Sequence, residues 1–179
     1  MLSVILSAQT TDKAVNLVTP ALFERYKTPV DLANASQAEV ESYIKTIGLY
    51  RNKARFLIKC SQELVERFNG VVPKTRKELM SLSGVGRKTA DVVLAECFGI
   101  PAFAVDTHVS RVAKRLGMVP ADSDVLTIEK ILMQKVPQDL WIKGHHRMIF
   151  WGRYQCMARN PKCSSCPLLD ICPEGRSRV

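Results

Sequence analysis

Apolar residues recur at helical spacing along almost the whole chain, and no convincing run alternates with period two. In "RFLIKCSQELVERF" the positions Phe56, Leu57, Cys60, Leu64 and Phe68 fall at helical intervals. "VDTHVSRVAKRLGM" places Val109, Val112, Ala113 and Leu116 on one face, with Arg111, Lys114 and Arg115 away from its centre. "SDVLTIEKILMQKV" repeats the pattern with Leu126, Ile128, Ile131, Leu132 and Val136. The only short extended candidate is "PAFAVD". The pattern predicts an all-α fold. Turn signals separate the helices at Asn69-Gly70, Gly84-x-Gly86, Gly99 before Pro101, Gly117 before Pro120, and Val136-Pro137. Pro20 interrupts "DKAVNLVTPALFERY" and is expected to kink or split that helix, because proline lacks the N–H and crowds the preceding turn.

At 179 residues the chain suits one domain or two small ones. The best internal boundary is "GIPAFAV", which divides residues 1–100 from 101–179. Lys and Arg number 26 against 17 Asp and Glu, a net charge of +9. That balance favours a polyanionic partner, nucleic acid or an anionic membrane surface, and the plain alternative is a basic protein with neither. No run of about 18 apolar residues exists, so no transmembrane helix is expected. The start "MLSVILSAQ" has no basic region before its apolar stretch and no cleavage signature, so it does not read as a signal peptide, and the chain reads as cytoplasmic. Met1 lies inside an apolar helical pattern with no N-cap, which fits either a fragment or a frayed first helix.

Cys60 and Cys97 are isolated in apolar helical patterns and read as small core residues. Cys156, Cys163, Cys166 and Cys172 instead crowd together as C-x6-C-x2-C-x5-C. In a reducing compartment such a cluster favours metal binding over disulfides. Four thiolates suit tetrahedral zinc or a cubane iron–sulfur cluster, and spacing alone leaves the two open. The loop between the first two cysteines, "MARNPK", turns at Asn160-Pro161 and displays Arg159 and Lys162, either as a phosphate clamp or as solvated charges.

The stretch "SLSGVGRKTADVV" joins two helices through a tight turn. Its glycines, Gly84 and Gly86, admit positive φ and close backbone approach. Amides of Gly84, Val85, Gly86 and Arg87, at the turn and the second helix's N-terminus, can hold a phosphate without reading sequence. A Walker loop is excluded by spacing, a dinucleotide fingerprint by the absence of a preceding strand. A plain helix–turn–helix connection remains the alternative. Lys88 sits in the first turn of the second helix beside Arg87, a placement that makes it a candidate nucleophile, because amine attack needs the free base. A solvated lysine or a phosphate contact is the bland reading. Asp106 opens a helix after "PAFAV", where Asp is a favoured N-cap. Capping would also fix a carboxylate at the join between the two halves. His108 reads as a packing or hydrogen-bonding residue.

The hairpin "LSGVGRKTA", the "VDTH" stretch and the cysteine tail, in that order, resemble the endonuclease III family of DNA glycosylases. "LSAQTTD" and "IKTIGLYRNKA" also look like family segments, so the resemblance covers nearly the whole chain. It implies a two-domain, all-helical helix–hairpin–helix glycosylase fold with a C-terminal [4Fe–4S] cluster loop. It implies Lys88 as the Schiff-base lysine, Asp106 as the catalytic carboxylate and the four cysteines as cluster ligands. Gln9 and Leu49 lie where the family inserts side chains into the DNA stack; without the resemblance they read as a helix-end polar group and a core leucine. Two departures stand out. Ser83 occupies a position where the family often has proline, and a further N-terminal helical segment of the family is not in this sequence.

The implied activity is a bifunctional DNA glycosylase/AP lyase of base excision repair, acting as a monomer on double-stranded DNA with damaged pyrimidines or abasic sites, in the bacterial cytosol or nucleoid. An adenine-specific mismatch glycosylase fits less well, because that relative lacks the lysine and carries an extra domain beyond the cysteines. A non-catalytic DNA-binding module with a structural metal would leave Lys88 and Asp106 without a task. An electron carrier fits neither the hairpin nor the charge.

Overall fold

Polar side chains begin most of the helices. Thr11, Ser36, Thr75, Asp106 and Asp124 each accept a hydrogen bond from the backbone N–H three residues on. Thr28 and Asp31 form a reciprocal capping box. Each cap satisfies a donor that the helix itself cannot, worth about 1 kcal/mol. The Thr28 hydrogen bonds also hold the Asp31 carboxyl below its ordinary range.

The computed structural model describes residues 1–179 and contains helices but no strand. The chain divides into two compact units, Met1–Phe98 and Gly99–Val179. The first holds α1 (Leu2–Leu6), α2 (Asp12–Arg25), α3 (Pro29–Ala33), α4 (Gln37–Ile44), α5 (Tyr50–Phe68), α6 (Arg76–Met80) and α7 (Arg87–Phe98). The second holds α8 (Thr107–Arg115), α9 (Val125–Lys135), α10 (Trp141–Tyr154) and α11 (Pro173–Arg176), with 3-10 turns at Gln138–Leu140 and Leu169–Ile171.

The long helix α5 is the spine of the first unit, with α1, α3 and α4 packed against it. Its face buries Ala54, Leu57, Cys60 and Leu64. Burial pushes the Cys60 thiol up to about 12, so it stays protonated. In the second unit Phe103, Val109, Ala113, Ile128 and Leu132 form the core, and α8 packs on α9 and α10. Residues 101–106 are irregular chain rather than a strand. Ala102 to Val105 are nevertheless buried, and the Ala104 carbonyl accepts a bond from His145 Nδ1 at 2.7 Å. Buried backbone needs such a partner.

Three expectations change. Helix α2 runs unbroken through Pro20; Pro20 and Asn16 are both exposed, so the Asn16 carbonyl, deprived of its usual partner, faces water. Cys97 is exposed, not core: Ala90, Val93 and Leu94 on its face are buried, but Cys97 lies in the helix's last turn, where the packing ends. Leu126 is exposed too, in the first turn of α9, ahead of the buried Ile128 and Leu132.

Candidate functional site

The hairpin connects α6 to α7 through Ser81–Gly86. Gly84 has φ +78°, and a methyl group there would lie 2.9 Å from Cβ of Phe56 and 3.3 Å from Cγ2 of Ile5. Only glycine fits, for backbone and packing reasons together. Gly86 differs from expectation: its φ is not positive, and a methyl group would meet nothing within 4 Å. Val85 also departs from its expected role. Its side chain is buried and its amide donates to the Leu82 carbonyl at 3.1 Å, so that amide cannot serve an outside anion. The Gly84 and Gly86 amides make no bond within the chain. Lys88 is exposed in the first turn of α7, directly after this turn.

Ser83 turns out to be a fixing point. Its amide donates to Glu63 Oε2 at 2.6 Å and its hydroxyl to Glu63 Oε1 at 2.8 Å. A proline here could make neither bond. Nothing local in the sequence marks Glu63, because its partner lies 20 residues away.

Gln9 and Leu49 share an uncommon backbone state, with φ of 52° and 60°. A leucine held left-handed costs roughly 1–2 kcal/mol, and such strain concentrates where function requires it. Leu49 is 54% exposed, so it is not a core leucine, and it occupies the N-cap of α5. Gln9 is also exposed. The two loops are neighbours: a methyl group at Gly48 would lie 3.9 Å from the Gln9 carbonyl oxygen, and Lys53 Nζ donates to Thr10 Oγ1. Lys53 is only 3% exposed, and burial pulls its amine below the ordinary lysine range.

In the second unit Asp106 caps α8, accepting from the Val109 amide at 2.8 Å. Half-buried and fixed by that bond, it presents a carboxylate in one orientation. The same helix grips the cysteine loop. Arg111 donates to the carbonyls of Cys156 (3.0 Å) and Gly152 (2.7 Å). Arg115 donates to those of Met157 (2.8 Å) and Ala158 (3.2 Å) and pairs with Glu174 at 3.0 Å. His108 Nδ1 lies 3.1 Å from Arg111, a hydrogen-bonding role. The sequence signal for these contacts is the spacing: two arginines four residues apart on a helix reach the same neighbour.

Cys156, Cys163, Cys166 and Cys172 line one pocket with about 410 Å³ of space unfilled by atoms, part of it open to solvent. The four thiols brought to this one pocket are a donor set that a cubane takes. The surroundings fit that group. Gly175 N–H donates to Cys172 Sγ at 3.2 Å, Arg115 lies 3.5 Å from Cys156 Sγ, and a methyl group at Gly175 would crowd Cys172 Sγ at 3.2 Å. Donors of this kind stabilise thiolate charge. Asn160 takes a left-handed turn at φ 51°, and Arg159 and Lys162 are exposed on the loop.

Residues 2–138 match the family model of the HhH-GPD superfamily base excision DNA repair protein. Residues 156–172, which begin and end on cysteines of the pocket, match the iron–sulfur binding domain of endonuclease III. Endonuclease III of Bacillus subtilis is 52% identical over 99% of this chain and 81% of its own length. The chain belongs to the endonuclease III family. Endonuclease III of Escherichia coli K12 is 45% identical over 96% of this chain and 81% of its own. A solved structure of a trapped endonuclease III–DNA covalent intermediate superposes with a TM-score of 0.96, at 55% identity, covering 99% of this chain and 83% of that one. A thermostable thymine-DNA glycosylase superposes at 0.90 with 25% identity, covering 98% of this chain and 82% of that one. Membership in the endonuclease III family makes the cofactor a [4Fe–4S] cluster, which removes the zinc alternative. No helix is long and apolar enough to cross a membrane.

Proposed function

We propose that Lys88 and Asp106 carry the chemistry of this base excision repair enzyme and that its substrates are oxidised pyrimidines in duplex DNA. As a member of the endonuclease III family the chain is a DNA glycosylase with AP lyase activity. Lys88 carries the reading: exposed in the first turn of α7, it follows a turn whose Gly84 and Gly86 amides are free to hold a phosphate. A relative 55% identical has been captured as a covalent intermediate with DNA.

The duplex is held through its phosphates by the Gly84, Gly86 and Arg87 region and by Arg159 and Lys162, contacts that position rather than read sequence. The damaged nucleotide leaves the stack for the active site, and Gln9 and Leu49 enter the gap. The Lys88 amine attacks C1′, forming a C–N bond as the bond to the base breaks. The base departs with the electron pair and is protonated. Asp106 stabilises positive charge on the sugar and assists proton transfers. The sugar ring opens to a Schiff base on Lys88. Loss of a 2′ proton then expels the 3′ phosphate, and the strand breaks by β-elimination. Cys156, Cys163, Cys166 and Cys172 hold the [4Fe–4S] cluster, which when bound crosslinks the loop bearing Arg159 and Lys162. The enzyme acts as a monomer in the cytosol or nucleoid.

Borohydride reduction with abasic DNA should trap wild-type protein covalently, and Lys88→Ala should give no adduct. An adduct at wild-type yield from Lys88→Ala removes it as nucleophile. Release of oxidised pyrimidines, and not of mismatched adenine, from a damaged duplex tests the substrate class.

A further inference from the structure

One stripe of α5 reaches every element of the first unit assigned to DNA. Lys53, Phe56, Glu63 and Arg67 follow one another at intervals of three, seven and four residues, which puts them on one side of a helix. Lys53 donates to Thr10, beside Gln9. Phe56 sits against Gly84. Glu63 receives both donors of Ser83, and Arg67 donates to the Ser81 carbonyl at 3.2 Å and hydroxyl at 2.8 Å. Leu49 caps the same helix. The hairpin, the Gln9 loop and Leu49 are therefore all referenced to one rigid rod.

We propose that Glu63 is a positioning residue for DNA: through its paired bonds to Ser83 it locks the hairpin onto α5 and so sets the spacing between the phosphate-holding amides and the two side chains that enter the stack. This inference rests on the reading of the hairpin given above. The pairing is a carboxylate with two donors, an N–H and an O–H, on one residue, and charge-assisted bonds of that kind are the strong ones. Its geometry is directional. Phe56 against Gly84 resists compression, but apolar contact allows the turn to slide, and Arg67 is exposed. The Ser83–Glu63 pair pins both the backbone and the side chain at the residue directly before Gly84. Ser83 thus makes this a tethered turn.

The experiment measures binding of a duplex containing a stable abasic analogue, with melting temperature recorded for every variant. Glu63→Ala, Ser83→Ala and the double variant form a cycle. Glu63→Ala should raise Kd by about tenfold, the effect of removing bonds to a charged group. The double variant should be no weaker than Glu63→Ala alone, because the two act through one contact. The slope of log affinity against log salt should fall by about 0.9 as one phosphate contact is lost. Ser83→Thr, which keeps both donors, should stay within about twofold of wild type. A clamp that only supports the fold would lower the melting temperature and leave the Kd and salt slope of the folded protein unchanged. That result, or additive effects in the cycle, overturns the proposal. If Glu63→Ala fails to fold, Glu63→Gln, which leaves one neutral acceptor for Ser83, must show a Kd above wild type, and a wild-type value for it and for Ser83→Ala overturns the proposal equally. Wild-type protein that forms no borohydride adduct would refute the lyase reading instead, so the two failures are distinguishable.

Discussion

The hairpin and the cysteine loop are both fastened by side chains from a helix, yet they are fastened differently. α5 holds the hairpin through contacts that begin and end in the polypeptide: Phe56 on Gly84, Glu63 on Ser83, Arg67 on Ser81. α8 holds both ends of the cysteine loop, with Arg111 and Arg115 on backbone carbonyls at its start and the Arg115–Glu174 pair at its end. Four thiols of that loop line one pocket. The hairpin's fastenings are all protein groups, whereas the cysteine loop gains four further ties from the cluster that its thiols would hold. Loss of the cluster should therefore leave the hairpin in place and loosen the loop.

Cys163→Ser is the hardest test of that asymmetry and has the largest expected effect. Iron content and visible absorption should collapse, and residues 156–172 should become the first site of proteolysis, because metal binding free energy is folding free energy for such a loop. Amide exchange at Leu82 and Val85 should stay slow. If the hairpin amides open together with the loop, the two regions are not independent. Arg115→Ala comes next. It deletes two carbonyl bonds and the pair with Glu174 from a side chain only 13% exposed, a loss of about 2 kcal/mol. Thermal denaturation should show that loss in the loaded protein. In cluster-free protein the same substitution should cost much less, since the loop it supports is already loose.

The same asymmetry explains what the sequence disclosed. Helical spacing, the cap at Asp106 and the cysteine spacing are local patterns, and each is read from a few adjacent residues. Leu49 was ambiguous, because a leucine at helical spacing looks like core until its left-handed backbone and exposure are seen. At Cys97 the apolar face continues in sequence beyond the point where packing partners end, so helical spacing overstates its burial. Ser83 with Glu63, and Arg115 with Met157, are pairings across 20 and 42 residues. Many acids could accept from Ser83, and no local pattern selects one. The metal's identity was hidden for another reason: four thiolates serve zinc and iron–sulfur alike, so only the family decides.

The hairpin's two glycines give the finest form of the comparison, between a part of one loop that faces inward and a part that faces out. Gly84→Ala must place a methyl group 2.9 Å from Phe56 with φ at +78°, and stability should fall by about 2 kcal/mol from backbone strain and overpacking. Gly86→Ala places its methyl group where the protein has no atom within 4 Å, at a backbone angle any residue can adopt. Its melting curve should match wild type to within about 0.5 kcal/mol. Affinity for a duplex with an abasic analogue should nevertheless drop, because the methyl group stands where a phosphate must approach the Gly86 amide. A lower melting temperature for Gly86→Ala would mean that this side of the turn supports the fold. An unchanged melting temperature with unchanged affinity would mean that the Gly86 amide does not meet the backbone of DNA, and the phosphate would then have to be held by Lys88 and the first turn of α7 instead.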